Sequence, residues 1–144
     1  MIKKRVYLDN CCFNRPYDEQ TDLKVHLEAE AKMFVQNEIL NKTLELAWSF
    51  MMDYEISSNP FQDRRMAFLR WKNIAVVDID PIEEILRKGQ TLVQKRIKKK
   101  DALHIACAIA AKCDYFLTTD KRILNKNIQE ITLINPIDFL RQVL

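Results

Sequence analysis

Residues 101–120 read DALHIACAIAAKCDYFLTTD, and this stretch decides the predicted fold. From Ala102 to Ala111 the side chains are apolar almost all round a helix, which is typical of a helix buried on most sides. Its many alanines favour close packing against a sheet. Tyr115-Phe116-Leu117 then has the composition of a short buried strand, followed at once by Thr118-Thr119-Asp120. A buried helix that leads directly into a buried strand is typical of an α/β protein.

The rest of the chain repeats this alternation of helix and strand. Further strands are predicted at residues 6–8, 44–48, 75–77 and 131–134. Helices are predicted at residues 22–40, 50–56, 61–71, 81–97 and 101–112, with a short helix after Asp120 and a terminal helix from Pro136. Strands that alternate with helices predict a mostly parallel sheet of about five strands, covered by helices on both faces. No linker or repeat interrupts the 144 residues, so we expect a single domain over residues 1–144.

The composition excludes several classes of site. Gly89 is the only glycine, whereas a P-loop and a dinucleotide-binding turn each need several glycines near the phosphates. The four cysteines form no CxxC pair, which predicts reduced and mostly buried thiols in a reducing compartment. No apolar run is long enough for a signal peptide or a membrane span, so we expect a cytoplasmic protein. With 23 basic and 20 acidic residues, the formal charge of +3 permits a nucleic-acid partner without demanding one.

Acidic side chains stand next to the predicted strands at several separate points of the chain. Asp9 directly follows the first strand, Asp120 follows the fourth strand after two threonines, and Asp101 begins the buried helix. Asp53 and Glu55 lie just after the second strand. Ligands of open α/β sheets bind at the carboxyl ends of the strands, so these acids are expected to converge on one edge of the sheet.

Such a cluster of carboxylates predicts a divalent-metal site. Neighbouring carboxylates raise one another's pKa, and a cation between them relieves the repulsion. Oxygen ligands without histidine or cysteine favour Mg²⁺ or Mn²⁺ over zinc, and sites of this kind serve phosphoryl transfer. The alternative is that Asp9, Asp101 and Asp120 are each only the N-cap of a helix.

Three segments resemble the PilT N-terminus (PIN) domain family, which includes the toxin ribonucleases of virulence-associated toxin–antitoxin pairs. They are Tyr7-Leu8-Asp9-Asn10, Asp101-Ala102-Leu103-His104-Ile105-Ala106-Cys107-Ala108 and Phe116-Leu117-Thr118-Thr119-Asp120-Lys121. The resemblance covers essentially the whole chain, in the family's order. It implies a three-layer α/β/α sandwich with a central parallel sheet, and a Mg²⁺- or Mn²⁺-dependent ribonuclease.

The resemblance also implies the residues of the site. Asp9 matches the family's first acid, Asp101 the third and Asp120 the last. Glu55 is our choice for the second acid, with Asp53 in reserve. The four chosen acids are expected to be catalytic and to hold the metal. The family often has Thr or Ser directly after the first acid, whereas this chain has an asparagine and then two cysteines, which leaves the local polar contacts open.

Three further polar residues are candidates for binding the substrate. Asn10 and Thr119 stand beside two of the acids, and Arg15 could clamp a phosphate with its guanidinium fork. Helix capping is the alternative role of Asn10 and Thr119, and a surface salt bridge is the alternative for Arg15. The basic run 95–100 could neutralise phosphates that approach Asp101, or it could be only a solvated helix end.

The acidic cluster and the family resemblance together imply an endoribonuclease that hydrolyses RNA phosphodiester bonds, and they leave open which class of RNA is cleaved, or whether DNA is. The resemblance implies a toxin with an antitoxin protein as its partner, a homodimer, and products with 5′-phosphate and 3′-hydroxyl ends. The alternative from another class is a catalytically silent PIN-fold module that binds proteins or regulates them. A dehalogenase-type phosphatase is disfavoured, because Asp9-Asn10-Cys11 is not the Asp-x-Asp that such chemistry needs. His104, three residues after Asp101, is interpreted as a hydrogen-bonded packing residue rather than a general base.

Overall fold

A computed structural model describes residues 3–144, so the first two residues of the predicted domain 1–144 lie outside it. The strands in this range are β1 Lys4–Leu8, β2 Leu44–Ser49, β3 Val77–Ile79, β4 Tyr115–Leu117 and β5 Thr132–Ile134. The helices are α1 Asn10–Asn14, α2 Leu23–Leu40, α3 Phe50–Ser57, α4 Gln62–Lys72, α5 Glu83–Val93, α6 Lys99–Ala110, α7 Lys121–Leu124 and α8 Pro136–Gln142, with a 3-10 turn at Arg15–Tyr17. None of these helices is both long and apolar enough to cross a bilayer.

The strands form one parallel sheet in the order β3-β2-β1-β4-β5. The chain starts at the central strand β1, moves outward to β2 and β3, and then returns across β1 to add β4 and β5. Because the crossovers are right-handed, the helices that connect β1 to β2 and β3 lie on one face of the sheet, and the helices that lead on to β4 and β5 lie on the other. The predicted fold class, a three-layer α/β/α sandwich with a mostly parallel sheet of about five strands, is confirmed. The direction reverses between β1 and β4, which is where open α/β sheets bind their ligands.

Part of the core lies between the central strands and α6, as the sequence predicts, and buried residues such as Val35 of α2 and Phe139 of α8 extend it. Tyr7 of β1 and Ile105 of α6 are both completely buried. α5 passes close to α6 at Gly89, where an added Cβ atom would lie 2.9 Å from Cδ2 of Leu103. The single glycine of the chain therefore permits the close packing of these two helices.

The segment between α5 and α6 differs from the prediction. α5 spans Glu83–Val93 rather than 81–97, and α6 begins two residues before Asp101. Arg96 has a left-handed φ of 67°, which turns the chain out of α5. Lys98 is the N-cap of α6, so Asp101 lies inside the first turn of this helix.

Strand β3 lies about two residues later than predicted. It spans Val77–Ile79 instead of 75–77 and therefore includes Asp78. Because β3 is an edge strand, a polar side chain can reach solvent there, and Asp78 pairs with Lys72 at 3.8 Å. The apolar run 75–77 that predicted the strand overlaps only its start: Val76 donates its N–H to Leu46, and Val77 pairs with Ala47.

The four cysteines are free thiols, as predicted, and only Cys11 is partly exposed. Burial raises the pKa of Cys107 to about 11 and that of Cys113 to about 12. Both thiols therefore stay protonated at neutral pH and pack as small apolar groups.

Candidate active site

An open cleft of about 350 Å³ lies at the carboxyl ends of β1, β2 and β4. The four acids predicted for the site all line it: Asp9, Glu55, Asp101 and Asp120. The remaining lining residues are Asn10, Cys11, Asn14 and Asp18. The topology thus collects carboxylates from both halves of the chain at the point where the direction of the sheet reverses. We call this cavity the acidic cleft.

Asp9 is held by hydrogen bonds to both of its carboxylate oxygens. Oδ1 accepts from the backbone N–H of Asn10 at 2.8 Å and thereby caps α1. Oδ2 accepts from the hydroxyl of Thr118 at 2.8 Å. Asp9 is nearly buried at 6% exposure, so its position is set by the fold. The same carboxylate therefore caps α1 and lines the cleft.

Thr118, rather than the predicted Thr119, connects two of the acids. Its buried hydroxyl donates to Asp9 and accepts the backbone N–H of Asp120 at 3.1 Å. The backbone N–H of Thr119 instead faces the sulfur of Cys11 at 3.4 Å. Thr118 is therefore the threonine that fixes the geometry of the cleft.

Thr118→Val is expected to destabilise the protein by about 1–3 kcal/mol, since it removes a hydrogen bond to a nearly buried carboxylate. Thr119→Val is the matched control, with an expected loss of less than about 1 kcal/mol. Denaturant unfolding of both variants measures the difference. Equal losses would show that the Thr118 hydroxyl does not support Asp9.

Glu55 enters the cleft from α3, whereas Asp53 does not. Oε1 of Glu55 lies 2.7 Å from Nε2 of His104, and Oε2 accepts from the side-chain amide of Asn10 at 3.1 Å. The hydrogen bond from His104 lowers the pKa of Glu55 despite the opposing effect of burial, so this carboxylate is ionised at neutral pH. Asp53 accepts from the indole of Trp48 at 3.0 Å and from Lys72 at 3.1 Å, outside the cleft.

A chain of buried hydrogen-bonded side chains, His104, Tyr7 and Ser49, supports Glu55. An ionised carboxylate only accepts, so Nε2 of His104 carries the hydrogen of the bond to Glu55. Nδ1 of His104 lies 2.6 Å from the Tyr7 hydroxyl, and in the tautomer that carries its hydrogen on Nε2 it accepts from that hydroxyl. The Tyr7 oxygen in turn accepts from Ser49 at 2.7 Å, and Ser49 accepts the backbone N–H of Met51 at 3.2 Å. His104, Tyr7 and Ser49 are completely buried, and in this tautomer the hydrogen bonds run in sequence from Ser49 through Tyr7 and His104 to Glu55.

The buried hydrogen-bonded role preferred for His104 agrees with this geometry, but its partners were not predicted. A tyrosine within Val6-Tyr7-Leu8 and a serine at the end of β2 have the pattern of ordinary strand residues. The available signal was that each supplies a hydroxyl at a buried position, where a polar group needs a partner.

Among the described residues, Asp101 is the one acid of the cleft with no structural partner. Lys98, not Asp101, caps α6, so the N-cap alternative for Asp101 is wrong. Within residues 3–144, its carboxylate takes part in no ion pair or side-chain hydrogen bond. Burial raises the pKa of Asp101, and the charges of Asp9 and Asp120 raise it further. The position therefore has negative charge that no cation within residues 3–144 pairs with.

Asp120 is stabilised by the residue two positions after it. It caps α7 by accepting the backbone N–H of Arg122 at 2.9 Å, and it pairs with the Arg122 guanidinium at 3.3 Å. Burial opposes ionisation, but the hydrogen bonds and charge of Arg122, with a smaller contribution from Lys98, lower the pKa of Asp120 overall. This carboxylate is ionised and lies at the outer side of the cleft.

Two of the predicted substrate-binding residues lie away from the cleft wall. Arg15 donates through Nε to the buried Glu28 at 2.9 Å and through a terminal nitrogen to Asp18 at 3.0 Å. These ion pairs match the salt-bridge alternative and occupy much of the guanidinium fork. Thr119 is also absent from the lining, whereas Asn10 is in the cleft and donates to Glu55.

Comparison with known proteins places this arrangement in a family. The sequence model of the PIN domain family matches residues 6–128 of the chain. The chain belongs to the PIN domain family. A chain in the crystal structure of VapBC2 from Rickettsia felis, bound to a DNA fragment from their promoter, has a similar fold, with a TM-score of 0.56. The two sequences are 17% identical, and the match covers 91% of this chain and 98% of the VapBC2 chain. No match was found among curated proteins.

PIN domains are generally nucleases that use divalent metals, which supports a nuclease type of activity here. Within residues 3–144, no three acidic, histidine or cysteine side chains stand close enough to enclose an ion by themselves. Mg²⁺ commonly keeps several water ligands and takes only one or two carboxylates. The oxygen donors of this PIN domain, with the unneutralised Asp101 among them, fit a partly hydrated hard cation.

Proposed function

We propose that the protein is a Mg²⁺- or Mn²⁺-dependent endoribonuclease whose active site is the acidic cleft. The observation that supports this most strongly is Asp101, a partly buried carboxylate that has no partner within residues 3–144 and lies beside three other carboxylates. Capping accounts for Asp9 and Asp120, but it does not account for Asp101. A cation and a phosphodiester are the natural ligands for such an arrangement.

The residues of the cleft would have distinct roles. Asp9 and Asp101 hold the cation, with Asp120 acting through water at the outer side. The cation, when bound, supplies Lewis-acid stabilisation of the negative charge that develops on the phosphate. Glu55 is ionised and held in place by His104 and Asn10, and it orients the attacking water. Attack on phosphorus breaks the bond to the 3′ oxygen, which takes a proton from solvent, and leaves a 5′-phosphate and a 3′-hydroxyl.

The biological setting is part of the same proposal. The family resemblance and the fold shared with a chain of VapBC2 support a toxin ribonuclease that an antitoxin protein restrains. The same resemblance supports a homodimer, and the four free cysteines support a cytoplasmic protein. Five of the eight side chains that line the cleft are carboxylates, which suit a metal ion and a phosphodiester, so we propose that the site acts on the RNA backbone.

Two acids on the same helix test this proposal. Glu55→Gln is expected to lower the rate of RNA cleavage by about 100-fold or more, since it removes a charged group that acts in the transition state. Asp53→Asn, two residues earlier in α3, removes an acid that pairs with Lys72 outside the cleft and should change the rate less than about threefold. Cleavage of a labelled single-stranded RNA with Mg²⁺ or Mn²⁺ measures both. Equal effects of the two substitutions would reject the assignment of Glu55.

A catalytically silent PIN-fold module is the competing function. It predicts that the parent cleaves no RNA with either metal, while its melting temperature does not respond to Mn²⁺. The lone Asp101 carboxylate opposes it, because a binding module gains nothing from uncompensated repulsion in a cleft.

A further inference from the structure

A second cavity, of about 280 Å³, adjoins the acidic cleft. Four cationic side chains line it: Arg96, Lys98, Arg122 and Lys126. The two isoleucines among its lining residues, Ile97 and Ile123, are buried. Asp101 lines this cavity and the acidic cleft alike, so the two share a wall. We call the second cavity the basic pocket.

The cations of the basic pocket come from two separate parts of the chain. Arg96 and Lys98 belong to the turn between α5 and α6, while Arg122 and Lys126 lie in and just after α7. A single basic run would be explained as a solvated helix end, but two distant segments facing one cavity require a different explanation. The basic run predicted as a phosphate contact therefore contributes only part of this surface.

Most of this positive charge is not neutralised inside the protein. Arg122 pairs with Asp120 at 3.3 Å. Within residues 3–144, the other three cations form no salt bridge with a carboxylate; they are Arg96, Lys98 and Lys126. Asp101 is the one carboxylate among the lining residues of the pocket, so four cationic side chains face a single anionic one. The remaining cations repel each other, and a bound anion would relieve that repulsion.

The acidic cleft alone would repel a nucleic-acid strand. Five carboxylates line it, which are Asp9, Asp18, Glu55, Asp101 and Asp120. A strand carries one negative charge per nucleotide, so phosphates on either side of the reacting one need cationic contacts. Lys and Arg supply such contacts without reading the base. The basic pocket is the cationic surface that shares a wall with the cleft.

We propose that the basic pocket binds a backbone phosphate of the RNA strand whose neighbouring phosphodiester lies in the acidic cleft. This inference rests on the proposed nuclease function and specifies where the strand is held. The pocket anchors the strand and leaves the chemistry to the acids. Its removal should therefore weaken binding and raise KM, with little change in kcat.

Binding without cleavage separates the pocket from the chemistry. In an Asp9→Asn background with EDTA present, the affinity for a labelled single-stranded RNA is measured by fluorescence anisotropy at several salt concentrations. The pocket variant is Lys98→Ser/Lys126→Ser, which breaks no ion pair within residues 3–144. The matched control is Lys3→Ser/Lys4→Ser, which removes the same charge. These two lysines lie at the amino end of β1, whereas the cleft and the pocket lie at the carboxyl ends of the strands.

The pocket variant should bind RNA about tenfold more weakly or worse. The slope of its affinity against salt concentration, on logarithmic axes, should become shallower by roughly 0.7 for each phosphate that the protein no longer neutralises. The control variant should stay within about threefold of the background protein. Single-stranded DNA of the same sequence should show the same weakening, because a phosphate and not the 2′-hydroxyl is the group bound. Melting curves confirm that all variants are folded.

Three outcomes would contradict the proposal that the basic pocket binds a backbone phosphate. They are equal weakening in the pocket and control variants, an unchanged affinity in the pocket variant, and no RNA binding by the background protein at all. The proposed nuclease function fails differently, through absence of cleavage by the parent with either metal. If the parent cleaves RNA but the pocket variant binds RNA with unchanged affinity, only the phosphate-binding role of the pocket is rejected. If the parent does not cleave RNA but its RNA affinity depends on the pocket residues, only the nuclease function is rejected.

Discussion

Asp101→Asn is expected to stabilise the protein and at the same time to lower RNA cleavage by about 100-fold or more. Loss of a carboxylate that holds the catalytic cation removes several kcal/mol of transition-state stabilisation, and each 1.36 kcal/mol is about tenfold in rate. The gain in stability has a different origin. The Asp101 carboxylate has no partner within residues 3–144, and burial and the nearby carboxylates raise its pKa.

The stability gain should depend on pH in a defined direction. A folded-state pKa above the unfolded value near 3.8 means that the folded protein binds the proton more tightly than the unfolded chain does. The ionised carboxylate therefore destabilises the fold at neutral pH. This penalty shrinks as the pH falls through the folded-state pKa, and it disappears below the unfolded value. The melting temperature of Asp101→Asn should exceed that of the parent at pH 7 and approach it in acid.

These melting curves are recorded in EDTA, so that no bound cation masks the repulsion. Asp53→Asn is again the control, because Asp53 has Lys72 as a partner and its removal should not stabilise the protein. A melting temperature of Asp101→Asn below that of the parent at pH 7 would contradict the account of uncompensated charge. Full cleavage activity in this variant would contradict the role of Asp101.

His104→Leu is expected to cost about 2–4 kcal/mol of stability, because it leaves the Tyr7 hydroxyl buried without its acceptor. It also removes the group that holds Oε1 of Glu55. Groups that orient a metal-site or catalytic carboxylate through hydrogen bonds typically change activity by about 10- to 100-fold. Denaturant unfolding and RNA cleavage with Mn²⁺ measure the two effects.

Tyr7→Phe tests the same chain of hydrogen bonds with less disturbance of the fold. The ring, stacked on Phe116 at 5.3 Å, is kept, and only the hydroxyl is removed, at an expected cost of about 1–2 kcal/mol. Tyr7 reaches Glu55 only through His104. If Tyr7 acts by positioning Glu55, Tyr7→Phe lowers kcat in the parent but not in Glu55→Gln. Independent, additive losses in the double variant would show that its role is only structural.

The fold was accessible from the sequence because burial leaves a clear pattern. α6 after its first turn and β4 are apolar on almost every side, and the polar residues 118–120 end that pattern abruptly. Element boundaries near charged residues were less accessible. The end of α5 depends on Arg96 taking a left-handed conformation that glycine usually supplies, and its neighbours give no local signal of this.

The acids of the site were predicted by combining strand ends with the family resemblance, since parallel strands bring their carboxyl ends to one edge. Their supporting contacts were not predicted. Thr118 and Thr119 are adjacent and identical in type, and only the register of β4 beside β1 decides which hydroxyl reaches Asp9. Arg15 likewise depends on a tertiary contact, because its partner Glu28 is buried in α2.

The most direct test of the central claim is cleavage of a mixed structured and single-stranded RNA pool with Mg²⁺, with Mn²⁺ and with EDTA. The parent, Asp9→Asn and Asp101→Asn are compared, with melting curves for each. We predict cleavage by the parent with a divalent metal, none in EDTA, and products with 5′-phosphate ends. Both substitutions should abolish this cleavage in folded protein. Undiminished cleavage by both variants, or no cleavage by the parent with either metal together with no Mn²⁺ binding in calorimetry, would contradict a metal-dependent nuclease in the acidic cleft.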